Sequence, residues 1–339
     1  MSTPYAYNAW YPLAWSRDIG RNLNARRVLE QDIVVYRTED GKVAALEDAC
    51  PHRLAPLSLG KLKGDAVECG YHGMAFDCSG KCVSAPGMAR PPSGSDVRKY
   101  PVEESMGMVW VWMGDVEKAD PSLVFKMPEY DDPNFSVVEG DALLVKTNYL
   151  NLADNLCDPT HVVYVHQTTL ASSGREETRV MHERNGNKMV TWRWVIDGPL
   201  IPVFEGLKDF GGNVDRWHYY HYHAPSVAVI DFGSAKTGTG APEGNRDDCI
   251  QMYACHFITP VDKSTSVQHW LCLKNMPSDP EVDARLVAGL RLAFNEDKVV
   301  LEGIQNREDQ NREWKRVNLS LDASNIKMRR IIEEMAETN

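Results

Sequence analysis

The sequence predicts an α+β chain in two parts: a small all-β domain over residues 1–120, then a larger domain of antiparallel sheet and helices over 121–339. Three observations carry this. DIVVYRTEDGKVAAL (32–46) is two apolar runs about an Asp-Gly turn, the pattern of a β-hairpin. KMVTWRWVI (188–196), DRWHYYHYHAP (215–225) and QMYACHFITP (251–260) are aromatic and β-branched runs of strand length. EVDARLVAGLRLAFNEDKVVLEGIQN repeats its apolar residues at helical spacing.

Taken in order, SAPGMARPPSGSD (84–96) is a loop, and MVWVWMG (108–114) is a buried strand with a glycine stop. Residues 116–135 are rich in Pro and Asp and form the expected domain junction. NYLNLADNLCDPTHVVYVH (148–166) reads as one helical stretch, and Asp158-Pro159 inside it has the form of an N-cap followed by proline at N1. A long amphipathic helix covers 280–306.

The chain has 339 residues and a net charge of -11, which argues against a nucleic-acid or anionic-membrane partner. No run of 18 apolar residues is present, so no transmembrane helix is expected, and the first residues lack the order of a signal peptide. Eight cysteines in that context point to a reducing, cytoplasmic compartment, where cysteines close in sequence are metal ligands rather than disulfides.

CPHRLAPLSLG (50–60) and CGYHG (69–73) carry Cys50, His52, Cys69 and His72 as C-x-H, sixteen intervening residues, then C-x2-H. Each loop holds one thiol and one imidazole beside turn-forming Pro or Gly. Zinc fingers place both cysteines on one loop and both histidines on the other. The mixed order suits a Rieske [2Fe–2S] cluster, with two thiolates on one iron and two imidazoles on the other. The two loops, with YHGMAFD (71–77), resemble the Rieske ferredoxin-like domain. Cys78 and Cys82 fall outside the pattern and read as turn residues.

CDPTHVVYVH (157–166) raises a different question, because its histidines are five residues apart. Five residues on a helix turn through about 500°, so the two side chains diverge by about 140°. Asn155, Asp158 and His161 share one helical face, and His166 lies off it. Downstream, Leu286, Leu290, Ala293/Phe294, Val300/Leu301 and Ile304 form an apolar stripe that Asp297 interrupts. A buried carboxylate needs a partner, either a cationic side chain or a metal. Glu296 points to another face. Two histidines and one carboxylate form the facial triad of non-haem Fe(II) oxygenases.

D-x2-H-x4-H downstream of C-x-H and C-x2-H resembles the catalytic (alpha) subunit of the Rieske non-haem iron oxygenases over nearly the whole chain. NLCDPTHVVYVH and FNEDK resemble the subgroup of vanillate O-demethylase, dicamba O-demethylase and toluenesulfonate methyl-monooxygenase. The resemblance implies an N-terminal Rieske domain and a C-terminal helix-grip catalytic domain. It implies that Cys50, His52, Cys69 and His72 hold the cluster and that His161, His166 and Asp297 hold Fe(II). Asp158 would bridge the metals, accepting from His161 and from His72 of the partner subunit in a homotrimer. Asn155 would flank the open side of the iron. The implied activity is O2-dependent oxidative dealkylation of a small aromatic compound, fed by a ferredoxin or flavin reductase, since no dinucleotide fingerprint is present. Ring cis-dihydroxylation, methyl hydroxylation and a non-catalytic electron carrier are the rivals.

Three weaker signals remain. His221 and His223 share a strand face with Trp217 and Tyr219, which reads as an aromatic wall of pocket or core. His256 resembles a substrate-contacting position of dicamba O-demethylase. GSAKTGTGAPEG (233–244) lacks the G-K-[ST] ending of a P-loop and is read as a loop. The choice among an aryl ether, an N-alkyl anilide and an aryl methyl substrate is not written in the sequence.

Overall fold

The computed structural model describes residues 4–167, 169–170, 179–310 and 312–338. It separates into two compact units. The first holds Tyr5–Lys126 with Thr259–Asp262, and the second holds Met127–Ile258 with Lys263–Thr338. The division after Lys126 falls within the Pro- and Asp-rich stretch. The short segment 259–262 joins the first unit through Leu29 N–H to Pro260 O (2.8 Å) and Glu30 N–H to Val261 O (2.9 Å).

The first unit contains β1 (Ala9–Trp15), β2 (Asn24–Val28), β3 (Gln31–Arg37), β4 (Val43–Glu47), β5 (Lys61–Lys63), β6 (Ala66–Glu68), β7 (Ala75–Phe76), β8 (Cys82–Ser84), β9 (Lys99–Tyr100), β10 (Val102–Ser105) and β11 (Met108–Met113). They pair as β1-β11-β10, β2-β3-β4-β9 and β5-β6-β7-β8. The expected hairpin is β3–β4, turned at Gly41 with φ 86°. Strand period splits β3 between two cores. Ile33 and Val35 pack with Tyr11, Val109 and Val111, while Val34 and Tyr36 pack with Leu57, Val67 and Phe76 beneath Cys50 and Cys69. Each such side chain, fully buried, contributes about 1.5–3 kcal/mol. The second core is therefore the floor on which the two cysteine loops stand.

The second unit contains β12 (Ser136–Glu139), β13 (Leu143–Val145), α1 (Tyr149–Cys157), α2 (Val162–Val165), β14 (Met181–Asn185), β15 (Lys188–Gly198), β16 (Val214–His223), β17 (Val227–Lys236), β18 (Cys249–Asp262, of which Cys249–Ile258 belong here), β19 (Thr265–Lys274), α3 (Pro280–Glu308) and α4 (Ala323–Glu337). The sheet runs β12-β19-β18-β17-β16-β15-β14 with antiparallel neighbours, and β13 also pairs with β19. Asp279 caps α3 by accepting from Glu281 N–H (2.9 Å) and Val282 N–H (3.0 Å), with Pro280 at the first position. Leu286, Leu290 and Phe294 of α3 pack with Phe232, Ile250 and Trp270. The buried stripe continues through Asp297, Leu301 and Gln305, not through Val300 and Ile304, which are exposed. No helix among the described residues is long and apolar enough to cross a membrane.

The single helix expected over 148–166 is two. α1 ends at Cys157, and Asp158 is its C-cap at φ -106°, ψ 109°, rather than the N-cap of a second helix. The cause is Pro159, whose ring excludes the preceding residue from helical backbone. Asn155, Asp158 and His161 thus do not share one helical face.

Candidate metal centres

His161 and His166 sit at the two ends of α2. His161 precedes it with helical backbone, and its carbonyl accepts from Val165 N–H at 2.9 Å. His166 comes after it at φ -104°, ψ 41°, outside the helix. The helix ends between the two histidines, and this release swings their rings toward each other. The centroids lie 5.2 Å apart at 71°. Asp297, one turn after Phe294 on α3, completes the group. Its Oδ1 lies 3.4 Å from His161 Nε2 and 3.2 Å from His166 Nε2. The donor atoms of His161, His166 and Asp297 all lie within 4.8 Å of one another.

The outer atoms of these side chains are held. His166 Nδ1 meets Glu296 Oε2 at 2.8 Å, and the same oxygen accepts from Thr169 Oγ1 at 2.8 Å. Asn155 Nδ2 donates to Asp297 Oδ1 at 2.9 Å, so Asn155 orients the carboxylate rather than standing apart from it. His161 Nδ1 meets the main-chain carbonyl of Asp158 at 2.7 Å, in place of the expected bond to the Asp158 carboxylate. That carboxylate instead accepts from Thr160 N–H (2.7 Å) and Thr160 Oγ1 (2.6 Å), because Pro159 turns the chain back onto it. With an acceptor at each Nδ1, both imidazoles keep Nε2 as the inward donor atom, the tautomer a metal requires.

Burial alone would raise the pKa of Asp297, but the two imidazoles outweigh it and hold the carboxyl well below its usual range. Burial would lower His166, but Asp297 and Glu296 outweigh it and raise this histidine. The donor set is therefore one carboxylate and two imidazoles. Such a set fits a divalent iron, with positions left for other ligands.

Beside this group lies a small cavity of about 60 Å³. Leu156, Ile230, Phe232, Ala254 and Phe294 make it largely apolar, while Asn155, His218, Tyr220 and His256 are its polar points. His256 is fully buried, and burial pushes it down to about 4, with Asp297 opposing. Gln268 Nε2 donates to its Nδ1 at 2.8 Å, which leaves Nε2–H without a partner among the described residues. The aromatic strand expected as a wall contributes His218 and Tyr220. Trp217, Tyr219 and His221 alternate to the other face, where Trp217 bonds Asp231 (2.8 Å) and Tyr219 stacks on Trp192. Segment 233–244 is the end of β17 and the turns after it.

In the first unit, the two cysteine loops close alike. Cys50 N–H bonds Ala55 O (2.9 Å) and Leu54 N–H bonds Cys50 O (2.7 Å); Cys69 N–H bonds Met74 O (2.8 Å) and Gly73 N–H bonds Cys69 O (3.0 Å). The fifth residue of each is left-handed: Leu54 at φ 58° and Gly73 at φ 80°. The loops approach backbone to backbone, and a Cβ on Gly70 would lie 2.8 Å from Leu59 O. Cys50 and Cys69 are buried at 2% and 3% exposure, whereas His52 and His72 are exposed with rings 4.5 Å apart. Burial, and the neighbouring Cys69 thiol, push the Cys50 thiol up, while a His52 main-chain bond opposes them. Two thiols inside and two imidazoles outside fit a two-iron cluster with its imidazole-bound iron at the surface. Cys78 is exposed, and Cys82 of β8 is buried in the same core as Cys50 and Cys69.

Comparison with known proteins agrees with this geometry. A Rieske [2Fe-2S] domain model matches residues 9–101, and the vanillate O-demethylase oxygenase C-terminal domain matches residues 145–338. The toluene-4-sulfonate monooxygenase system iron-sulfur subunit of Comamonas testosteroni is 36% identical over 302 residues, covering 87% of this chain and 86% of its own. The vanillate O-demethylase oxygenase subunit of a Pseudomonas strain is 32% identical over 336 residues, covering 97% and 94%. Crystalline dicamba monooxygenase bound to 3,6-dichlorosalicylic acid superposes with a TM-score of 0.90 at 29% identity, covering 99% and 98%.

The fold and its two donor sets define a Rieske non-haem iron oxygenase. More particularly, the chain belongs to the family of oxygenase components that includes those of vanillate O-demethylase, dicamba O-demethylase and toluene-4-sulfonate monooxygenase. It is an oxidoreductase with a [2Fe–2S] cluster and a mononuclear non-haem iron. As an oxygenase component it works with separate electron-donating proteins.

Sequence reasoning set Glu296 aside as facing elsewhere, whereas it bonds His166, and it missed His218. The signal for Glu296 was its place beside Asp297, and for His218 its alternation against the aromatic face of β16.

Proposed function

We propose that this chain is the terminal oxygenase of a multicomponent monooxygenase that oxidatively dealkylates a small aromatic compound, removing an O-methyl or N-alkyl group. The observation that carries the reading is the convergence of His161, His166 and Asp297 beside an apolar cavity. Cys50, His52, Cys69 and His72 would hold the cluster; His161, His166 and Asp297 would hold the iron. Bound there, the iron supplies O2 activation and the cluster supplies electrons one at a time.

The protein's own residues do the rest. Asn155 fixes the carboxylate of Asp297, and Glu296 fixes the ring of His166. Leu156, Phe232, Ala254 and Phe294 exclude water and hold an aromatic ring beside the centre. Asp158 acts as the relay acid toward His72 of the partner subunit in a homotrimer. Its link to His161 runs through its main-chain carbonyl. A closed ring of heterologous contacts suits such an arrangement.

One oxygen atom of O2 enters the C–H bond next to O or N, and the other leaves as water with two electrons and two protons. The hemiacetal or hemiaminal then collapses to a phenol or amine and an aldehyde. The test is a formaldehyde-release screen of methoxybenzoates and N-methyl anilides with a surrogate reductase, alongside iron counting. About three irons per chain and formaldehyde support the reading. A product that keeps every carbon would replace dealkylation by ring or methyl hydroxylation, and about two irons per chain would reduce the chain to an electron carrier.

A further inference from the structure

Asn155 bonds the carboxylate of Asp297, so its aim depends on how α1 is rolled about its own axis. Burial of Leu152, Ala153 and Leu156 holds α1 in place, but apolar burial is non-directional. Side-chain ends lie about 5–6 Å from a helix axis, so a roll of about 10° moves the Asn155 amide by about 1 Å. Its bond of 2.9 Å to Asp297 would not survive that shift. Directional ties must therefore set the roll.

Such ties stand at both ends of α1. At its start, Asn148 N–H donates to Gln305 Oε1 of α3 at 2.7 Å. Its second half is tied to α4. Arg329 Nε donates to Asp154 Oδ2 at 2.8 Å, and Arg329 Nη2 donates to Asn151 Oδ1 at 2.8 Å. Asn325, one turn earlier on α4, donates from Nδ2 to Asp154 O at 3.2 Å. Asn151 and Asp154 are three residues apart and share a face of α1, immediately before Asn155. Asn151 Nδ2 in turn donates to Glu308 Oε2, at the end of α3, at 2.8 Å. Met328, Ile331 and Ile332 of α4 are fully buried, so Arg329 projects from a fixed base.

Burial pushes the Asp154 carboxyl up to about 6 from its ordinary 3.8, with Arg329 opposing and Asp158 and Asp322 adding to the rise. A carboxyl raised by folding contributes stability below its ordinary value and loses that contribution as pH rises toward the raised one. At neutral pH the ionised acid is thus of no net help to stability, and what its pairing with Arg329 supplies is geometry. We propose that Arg329 is a positioning residue of the iron centre: by gripping Asp154 and Asn151 it fixes the roll of α1 and so aims Asn155 at Asp297. The inference rests on His161, His166 and Asp297 being the iron ligands, and on nothing about the substrate.

The test is anaerobic Fe(II) titration of the full chain with its cluster intact and its mononuclear iron removed. Asn155→Ala should weaken Fe(II) binding about tenfold to a hundredfold, and Arg329→Leu about fivefold or more. Arg329→Lys, which keeps a charged donor for Asp154, should weaken it about twofold to fivefold, and it keeps the proposal testable if Arg329→Leu does not fold. Because Arg329 acts through Asn155, Arg329→Leu should weaken binding less than about twofold further in the Asn155→Ala background, while its loss in thermal midpoint is the same there. Glu334→Ala breaks the tie of the same helix to Arg184 of β14 and should leave Fe(II) affinity within about twofold. Unchanged affinity in the Arg329 variants, a full further loss in the double variant, or an equal loss in Glu334→Ala would each overturn the proposal. Asp297→Ala, titrated alongside, separates the premises. Undiminished affinity there would remove the ligand assignment and the proposal with it, whereas lost affinity there beside unchanged Arg329 variants would remove only the positioning role.

Discussion

In the loops bearing Cys50, His52, Cys69 and His72, each cysteine lies two or three residues from its histidine, and main-chain bonds within six residues close each loop. In the centre of His161, His166 and Asp297, the carboxylate arrives from α3, more than a hundred residues downstream, and side-chain bonds to Asn155 and Glu296 hold the donors in place. The loops present their imidazoles to solvent, while His166 and Asp297 are buried. A centre built from local backbone is specified by turn chemistry and a floor. A centre built across elements depends on every side chain that orients its donors, so substitutions outside the donors should weigh more heavily on the second.

The largest effect should come from Asp297→Ala. Removing the carboxylate that both imidazoles face should lower iron from about three to about two per chain and abolish turnover, with the reduced cluster's EPR signal unchanged. Loss of the cluster signal as well would show that the two centres are not separately built. Asp158→Asn should keep both metals and lower turnover at least about tenfold to a hundredfold. Full, coupled activity in that variant would remove the relay role, leaving Asp158 only as the cap that accepts from Thr160.

Glu296→Ala should weaken Fe(II) binding about tenfold to a hundredfold, and Glu296→Gln, which keeps an acceptor for His166 Nδ1, should lose less. Titration of the metal-depleted protein with Fe(II) measures both, and equal affinities in all three proteins would make the His166–Glu296 bond incidental. The same pair sets a pH dependence. The His166 pKa is raised by Asp297 and Glu296, so its protonated form competes with iron from a higher pH than an ordinary imidazole, above about 6.5. Below that point Fe(II) affinity should fall about tenfold per pH unit, and the onset should move to lower pH in Glu296→Ala. An onset that does not move would place the titration elsewhere.

The smallest effects belong to the cysteine loops. Leu54 and Gly73 occupy the same left-handed position, and only Leu54 carries a side chain there. Gly73→Ala should cost about 1 kcal/mol, and Leu54→Gly should be near neutral or slightly stabilising, read from thermal midpoints with the cluster intact. A large loss in Leu54→Gly would mean that its exposed side chain has a contact the loop backbone does not explain.

By itself the sequence determined the two cysteine–histidine loops, the hairpin, the sheet strands and the long helix, because turn residues and apolar periods act over a few neighbours. It also determined that His161 and His166 cannot share one face of a regular helix and that Asp297 is an acid out of place in an apolar stripe. Tertiary structure alone decided which atoms hold those residues. Periodicity assigns Glu296 to a face but says nothing of what stands opposite it, and α3 docks so that this face meets His166 and Thr169. Pro159 is visible in the sequence, yet only the folded turn shows that it gives the Asp158 carboxylate to Thr160 and the main-chain carbonyl to His161. The place of His218 on the cavity wall likewise exists only in the sheet, where register sets Arg193 against it across two strands that nothing in their own residues pairs in advance.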